Sequence, residues 1–399
     1  MTLRIAFPLA AVFALAGCSV DEISISPNPP TTPPVQNPPT PAPFTPSLPR
    51  LASGPHLGMI TGFDPLSDEQ ADEAALRYEQ ARASGASVGR VQIDWGELET
   101  APGEYDEEAL IDAFADPGLE GMNVVVLLST LDSDGLTVPD YLVEDGALRD
   151  GLTLASPQLV DAFSGFLDWL GPQLMARDVW LLSIANEPKG PVEDGLASEQ
   201  DAVTFYSEAM DQWNAAHPEI GITATFTIAA PQGIPDFFEA VRARADIVSF
   251  NYYCLTGEIQ VTGQADWEAR LAQMKADAGG REIFMQELGC PVGYSPQARP
   301  TFIGGSLENQ VAFFEFFGEA FATDPQLRAA TMFQLYDWSP ELASQFGDSL
   351  RDQGFPVLGD RLEEWLATSG FLRWEDSFER PAWQTWRAQL ERLKAARAD

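Results

Sequence analysis

Two glutamates each close a hydrophobic run, Ser183-Ile184-Ala185-Asn186-Glu187-Pro188 and Ile283-Phe284-Met285-Gln286-Glu287-Leu288-Gly289. A carboxyl delivered at the end of an apolar strand emerges from a core, where an unpaired charge is costly, so chemistry is the natural reason to keep it there. Two such acids can share the work of displacement at an acetal carbon. With the carboxyls about 5 to 5.5 Å apart, one attacks the anomeric carbon while the other protonates the leaving oxygen and then activates water. Each residue alone also has a plainer reading. Glu187-Pro188 fits a helix start, where Pro suits the first turn and a carboxylate suits the dipole. Glu287 fits a surface residue at a strand end, and it is the pair that favours catalysis. Metal chemistry has little to work with, because two His (His56, His217) and three Cys (Cys18, Cys254, Cys290) do not make the usual zinc site. No metal and no cofactor is expected.

For two residues one hundred positions apart to meet, the intervening elements must return them to one surface. Eight short apolar or β-branched runs recur between amphipathic stretches, over 57–63, 88–94, 123–129, 179–186, 222–228, 247–253, 282–288 and 330–336. Apolar residues at three- and four-residue intervals predict helices over 67–84, 156–175, 198–216 and 309–322. Strand and helix in alternation imply parallel strands with right-handed crossovers, and eight such units in about 350 residues imply a single (β/α)8 (TIM) barrel domain, class α/β. An open doubly wound sheet would normally carry a Gly-rich phosphate turn after its first strand. Here that turn reads Asp64-Pro65-Leu66-Ser67. In a barrel the catalytic residues sit at strand C-terminal ends, and Glu187 and Glu287, three βα units apart, would face each other across the mouth.

These residues, in their order, resemble a clan A glycoside hydrolase. The likeness runs from Leu51 to about Leu390. It rests on Arg90-Val91-Gln92-Ile93-Asp94-Trp95-Gly96-Glu97-Leu98-Glu99 with Pro102-Gly103-Glu104-Tyr105-Asp106, on Asn186-Glu187-Pro188, on Asp246 to Tyr253, on Glu287 with Gly289, and on Arg380-Pro381-Ala382-Trp383. The resemblance implies Glu187 as acid/base and Glu287 as nucleophile of a retaining reaction on β-linked sugars. Arg90 would then lie beneath Glu287 and hold it ionised, Tyr253 would donate to it, and Asn186 would bond the sugar 2-hydroxyl. Asn251 and Tyr253 are two apart and share one strand face, while Tyr252 takes the other. Trp338 would stack the sugar in the cleaved subsite, and Trp95, just past strand two, would be a second platform or a core residue. Trp169, Trp213, Trp365 and Trp386 fall in helical patterns and read as packing. Many clan members place a His after strand three or four; here strand three ends Leu128-Ser129-Thr130-Leu131-Asp132, and both His read as loop residues.

Cys254 and Cys290 fall just beyond Tyr253 and Glu287 on strands that would be neighbours, close enough for a disulfide in an oxidising compartment, with two buried thiols the alternative. The N-terminus supplies such an address. Arg4, the apolar run from Ile5 to Ala16 and then Leu15-Ala16-Gly17-Cys18 resemble a lipoprotein signal peptide over 1–17, with Cys18 acylated; a plain secretory signal is the other reading. Between Pro27 and Pro49 stand eleven prolines and no acidic residue, so 18–50 reads as an extended spacer and 51–399 as the folded domain. Ser19 beside Cys18 favours, by the same resemblance, the outer membrane.

Net charge sets the remaining limits. With 23 Lys plus Arg against 60 Asp plus Glu, the formal charge is −37, which repels nucleic acid and anionic lipid surfaces alike. The expected partners are a carbohydrate substrate and, through lipid alone, a membrane, with the chain a monomer. A non-catalytic carbohydrate-binding lipoprotein on the same barrel, or a transglycosylase using the same residues, is the alternative function.

Overall fold

In the computed structural model the described residues are 51–60, 68–133, 135–144, 146–294 and 302–398. The expectations for the signal peptide, Cys18 and the proline spacer lie outside them, as does the end of the first expected strand.

Eight parallel strands close into a barrel in chain order. They are β1 (His56–Ile60), β2 (Val88–Asp94), β3 (Asn123–Ser129), β4 (Val179–Asn186), β5 (Gly221–Thr227), β6 (Val248–Tyr253), β7 (Ile283–Gly289) and β8 (Leu327–Met332). Helices α1 (Asp68–Ser84), α2 (Glu107–Phe114), α3 (Pro157–Met175), α4 (Glu199–Ala216), α5 (Pro235–Arg242), α6 (Gln264–Asp277), α7 (Leu307–Thr323), α8 (Pro340–Asp352), α9 (Pro356–Leu366) and α10 (Pro381–Ala398) follow. The fold is therefore the (β/α)8 barrel that the strand and helix alternation implies.

The sequences of the elements explain their places. β3 reads Asn-Val-Val-Val-Leu-Leu-Ser and all eight residues of β4 are buried, as strands covered on both faces require. α3 turns Leu159, Phe163, Phe166, Leu170 and Leu174 inward. Each such side chain contributes about 1.5 to 3 kcal/mol by leaving water. Ser198 and Ser306 cap α4 and α7 by accepting from Asp201 N and Asn309 N.

Period two along each strand separates the barrel's interior from its helical coat. On β2, Val88 joins the interior floor with Leu51, Val125, Leu181, Ile247 and Phe284, while Val91 and Ile93 join the outer core. Arg90, two residues above Val88, thus projects inside. His56 is the first residue of β1, at the end of the barrel away from the strand C-termini, and not a loop residue; its Nδ1 meets Ser87 Oγ at 2.9 Å. β8 also starts and stops earlier than the sequence pattern predicts. After Met332 the chain leaves the barrel, and Tyr336 pairs instead with Leu372. Trp338 therefore lies in the loop entering α8 rather than at a strand end.

Candidate active site

The strand C-termini gather the polar residues. Arg90 Nη1 donates to Glu287 Oε1 at 2.7 Å, with both side chains under a tenth exposed. Tyr253 donates its hydroxyl to the other oxygen, Glu287 Oε2. Glu287 thus carries one cation and one hydroxyl donor. Tyr253, half-buried with its hydroxyl desolvated beside Glu287 and Glu187 and held by this hydrogen bond, has its phenol pushed well above the usual range, and so it stays a donor.

Glu187 has a different environment. It accepts from Asn251 Nδ2 at 2.8 Å, and no cation pairs with it among the described residues. Desolvation first, then the neighbouring charge of Glu287, raises its pKa to about 8; the Asn251 hydrogen bond opposes this and Asp132 adds to it. A carboxyl protonated at neutral pH is a proton donor, whereas Glu287 faces the Arg90 guanidinium.

Local irregularity puts these groups where they are. In an unbroken strand Gln286 and Glu287 would point to opposite faces. Instead both reach inward, Gln286 to Asn186 Oδ1 at 3.2 Å and Glu287 to Arg90. β7 slips register against β6 between Phe250 and Asn251, and against β8 between Met285 and Leu288, which sets Glu287 opposite Asn251. Such bulges re-aim side chains at the rim of a barrel. β4 slips likewise against β5 between Ser183 and Asn186, and Glu187 then takes a left-handed backbone, φ 48°, anchored by its N–H to Thr225 O at 2.9 Å. A non-glycine residue held there is strained, and such strain clusters at working sites.

Below the acids lies a layer of hydroxyls and amides. Thr225 Oγ1 meets Ser183 Oγ at 2.9 Å, Ser249 Oγ at 2.7 Å and Gln286 Oε1 at 2.8 Å. Asn186 Oδ1 receives Asn251 Nδ2 at 3.0 Å as well as Gln286, while Asn186 Nδ2 donates to Asp132 Oδ1 at 3.0 Å. Asp132, Gln286, Thr225 and Ser249 carry no role in the sequence reading. Asp132 stands there only as the last residue of the run Leu128-Ser129-Thr130-Leu131-Asp132 that closes strand three without a His, and the inward-facing Ser249-x-Asn251-x-Tyr253 spacing was the available signal for the layer beneath.

Among the aromatics, Tyr252 turns outward onto Phe313 and Phe317, with Asn251 and Tyr253 inward. Trp338 is half-buried, with its ring 5.0 Å from Phe346. Trp95 corrects the expectation of a second sugar platform. It is fully buried under Phe163, ring centres 4.8 Å apart, and its Nε1 donates to Glu99 Oε2 at 2.7 Å. The residue turns inward because a helical turn starts at Trp95 itself, straight after β2. Trp213 and Trp386 are core residues, while Trp365 packs edge-on against Tyr253 at 4.8 Å.

Cys254 and Cys290 form a disulfide, Cα–Cα 5.1 Å, tying the ends of β6 and β7 directly beyond Tyr253 and Glu287. Gly289, between them, leaves room that a side chain would take: a Cβ there would stand 3.1 Å from the Tyr253 ring and 3.2 Å from Phe333 Cβ. Among the described residues no cluster of His, Cys, Asp and Glu could hold a metal ion, and no helix is long and apolar enough to cross a membrane.

No protein-family model matches the chain, and no curated protein matches it. Solved structures share its fold. A GH5_18 from Streptomyces cattleya in complex with GlcNAc aligns over 86% of this chain and 81% of its own, with TM-score 0.63 and 17% identity. A GH5_18 variant from Bifidobacterium longum subsp. longum in complex with Manb1-4GlcNAc aligns over 86% and 79%, with TM-score 0.64 and 14% identity. An exo-beta-1,4-mannosidase from Opitutaceae bacterium strain TAV5 aligns over 86% and 60%, with TM-score 0.60 and 15% identity. At these identities the likeness is one of fold.

Proposed function

We propose that this chain is a retaining glycoside hydrolase that cleaves β-glycosidic bonds, with Glu287 as nucleophile and Glu187 as acid/base. The observation that carries the reading is the contrast between the two acids at one barrel mouth. Glu287 is ion-paired to Arg90 and hydrogen-bonded by Tyr253, while Glu187 is desolvated to a pKa of about 8 with an amide as its hydrogen-bond partner.

Each contact then has a chemical task. Glu287 attacks the anomeric carbon as the leaving oxygen takes the Glu187 proton, which forms a glycosyl ester and expels the aglycone. Glu187, now anionic, removes a proton from water, the water attacks the same carbon, and Glu287 departs. Arg90 and Tyr253 offset the charge on Glu287 before attack and after release, and the Asn186 amide offers a hydrogen to the sugar. Trp338, in the loop after β8, is proposed as the apolar platform beneath the ring.

The substrate proposal draws on the neighbours whose structures carry GlcNAc or Manb1-4GlcNAc and on the exo-beta-1,4-mannosidase. We place β-mannosides, and above all a mannosyl-β-1,4-GlcNAc unit, first among the substrates. Lipid anchoring through Cys18 and an outer-membrane location belong to the same proposal and rest on Leu15-Ala16-Gly17-Cys18 and the proline spacer. The test is hydrolysis of a panel of aryl β-glycosides and β-linked oligosaccharides, with Glu287→Gln as control. Turnover of a β-mannoside that Glu287→Gln abolishes is expected; turnover equal in parent and variant would refute the assignment.

A further inference from the structure

We infer that Asp132 is a positioning residue of this site, its carboxylate fixing which way the Asn186 amide faces. The inference rests on the acid/base reading of Glu187 and extends it to a residue on a different element. Asp132 lies past β3 in a two-residue strand, Leu131–Asp132, that pairs with Gly135–Leu136, and it is 8% exposed. Its Oδ2 accepts from Ser129 Oγ at 2.6 Å. Its Oδ1 accepts from Ser133 N at 2.6 Å, Ser133 Oγ at 3.0 Å and Asn186 Nδ2 at 3.0 Å.

Only some groups in the network have a choice of role. Hydroxyls can donate or accept, and an amide can be turned end for end, so Thr225, Gln286, Asn186 and Asn251 could in principle reverse together. A backbone N–H can only donate, so Asp132 Oδ1, which takes Ser133 N, is an acceptor. Asp132 therefore demands the NH2 of Asn186, which leaves Asn186 Oδ1 to receive both Gln286 Nε2 and Asn251 Nδ2. Asn251 has its second hydrogen on Glu187 Oε1 at 2.8 Å, so the polarity set at Asp132 runs through two amides to the acid/base. Asn186 retains one Nδ2 hydrogen beyond the one Asp132 takes, and this is the hydrogen available to substrate. A buried carboxylate with no cation paired to it among the described residues is costly, and four donors from three residues hold it in place.

Its charge also reaches Glu187. The groups facing Glu187 are Glu287 from β7, itself paired to Arg90 of β2, Asn251 and Tyr253 from β6, and Asp132 from beyond β3. Asp132 acts there in the same direction as burial and Glu287, toward a protonated Glu187.

The test is Asp132→Asn in the full chain, read on the β-glycoside that the parent hydrolyses best. We expect kcat/KM to fall by about 10- to 100-fold, as misoriented groups cost. We also expect the alkaline limb of its pH profile to move acidward by about half a unit or more, since a negative neighbour is gone. Asp132→Glu, which keeps the charge but displaces it, should lower the rate and leave that limb in place. If Asp132→Asn fails to fold, Asp132→Ser carries the same expectation. Titration of the Glu187 carboxyl by 13C NMR gives a readout that needs no turnover, and its pKa should fall in Asp132→Asn. An unchanged rate, or an unmoved limb together with an unmoved Glu187 titration, overturns the inference. A parent inactive on every β-glycoside would instead sink the glycosidase reading and leave the NMR test standing.

Discussion

Arg90 Nη1 stands 2.7 Å from Glu287 Oε1, an ion pair that spans the barrel interior from β2 to β7, strands that are not neighbours in the sheet. The pair ties the Glu287 carboxyl to a strand on another part of the barrel wall. Breaking a buried pair from one side leaves an uncompensated charge, worth about 3 to 5 kcal/mol, whereas removing both partners leaves none. Arg90→Met should therefore lose stability by roughly that amount in denaturant melts, and Arg90→Met with Glu287→Gln should recover a large part of it. Equal stability of parent and Arg90→Met would contradict the role given to this pair.

Glu187 gives a pH signature with a definite sign. Its pKa rises from 4.5 to about 8 on folding, so below pH 4.5 it is protonated in both states and between these values the unfolded chain alone releases the proton. Stability should decline with pH across that window, and the deficit should stay constant above about 8. Glu187→Gln removes the effect. Its stability advantage over the parent should grow from pH 4.5 to about 8, and the parent's kcat/KM should show an alkaline limb near the upper value. A difference between the two proteins that is flat with pH would contradict a protonated acid/base.

The Cys254–Cys290 bridge closes 36 residues of chain, for which loop entropy implies about 3 to 4 kcal/mol. Cys254→Ala with Cys290→Ala should lose stability of that order. Because the bridge joins the ends of the strands that carry Tyr253 and Glu287, kcat should fall as well. Stability within about 1 kcal/mol of the parent would mean that the reduced chain holds these strands without help.

The barrel was legible because its signals are local. Eight apolar runs alternate with amphipathic helices, and Asn186-Glu187-Pro188 and Gln286-Glu287 sit at the ends of two of them. Asn251 and Tyr253 share a face by period two along their strand, whereas Arg90 was marked only by the family resemblance. What stayed hidden depends on register between strands. The slips beside Asn251 and Glu287 bring Gln286 and Glu287 inward together, and nothing in Phe-Met-Gln-Glu-Leu announces a bulge. Trp95 misled for a related reason, since a chain that turns into a helix at the strand end swings its first side chain back into the core. β8 misled through Arg328, a charged residue inside the strand whose guanidinium reaches the carbonyls of Leu51, Ala52 and Gly54 under the barrel. Asp132 had no pattern of its own, and its part emerges only once Asn186 is placed beside it.

Anchoring is tested apart from catalysis. Cys18→Ala should move the protein from the membrane fraction of its native host to the soluble fraction, with the activity of the purified protein unchanged, because the barrel lies beyond residue 50. Parent protein found soluble in that host would dismiss the lipid anchor.

The central claim is that Glu287 bonds to sugar carbon, and covalent trapping addresses it most directly. A 2-deoxy-2-fluoro-β-mannosyl fluoride, or its gluco counterpart, slows both steps of a retaining reaction but spares the first the more through its good leaving group. Incubation followed by proteolysis and mass spectrometry should give one fluoroglycosyl group per chain, on the peptide that carries Glu287, and none on Glu287→Gln. A stoichiometric label on any other residue would contradict the assignment, and hydrolysis of a true substrate to the anomer of opposite configuration would contradict the double displacement itself.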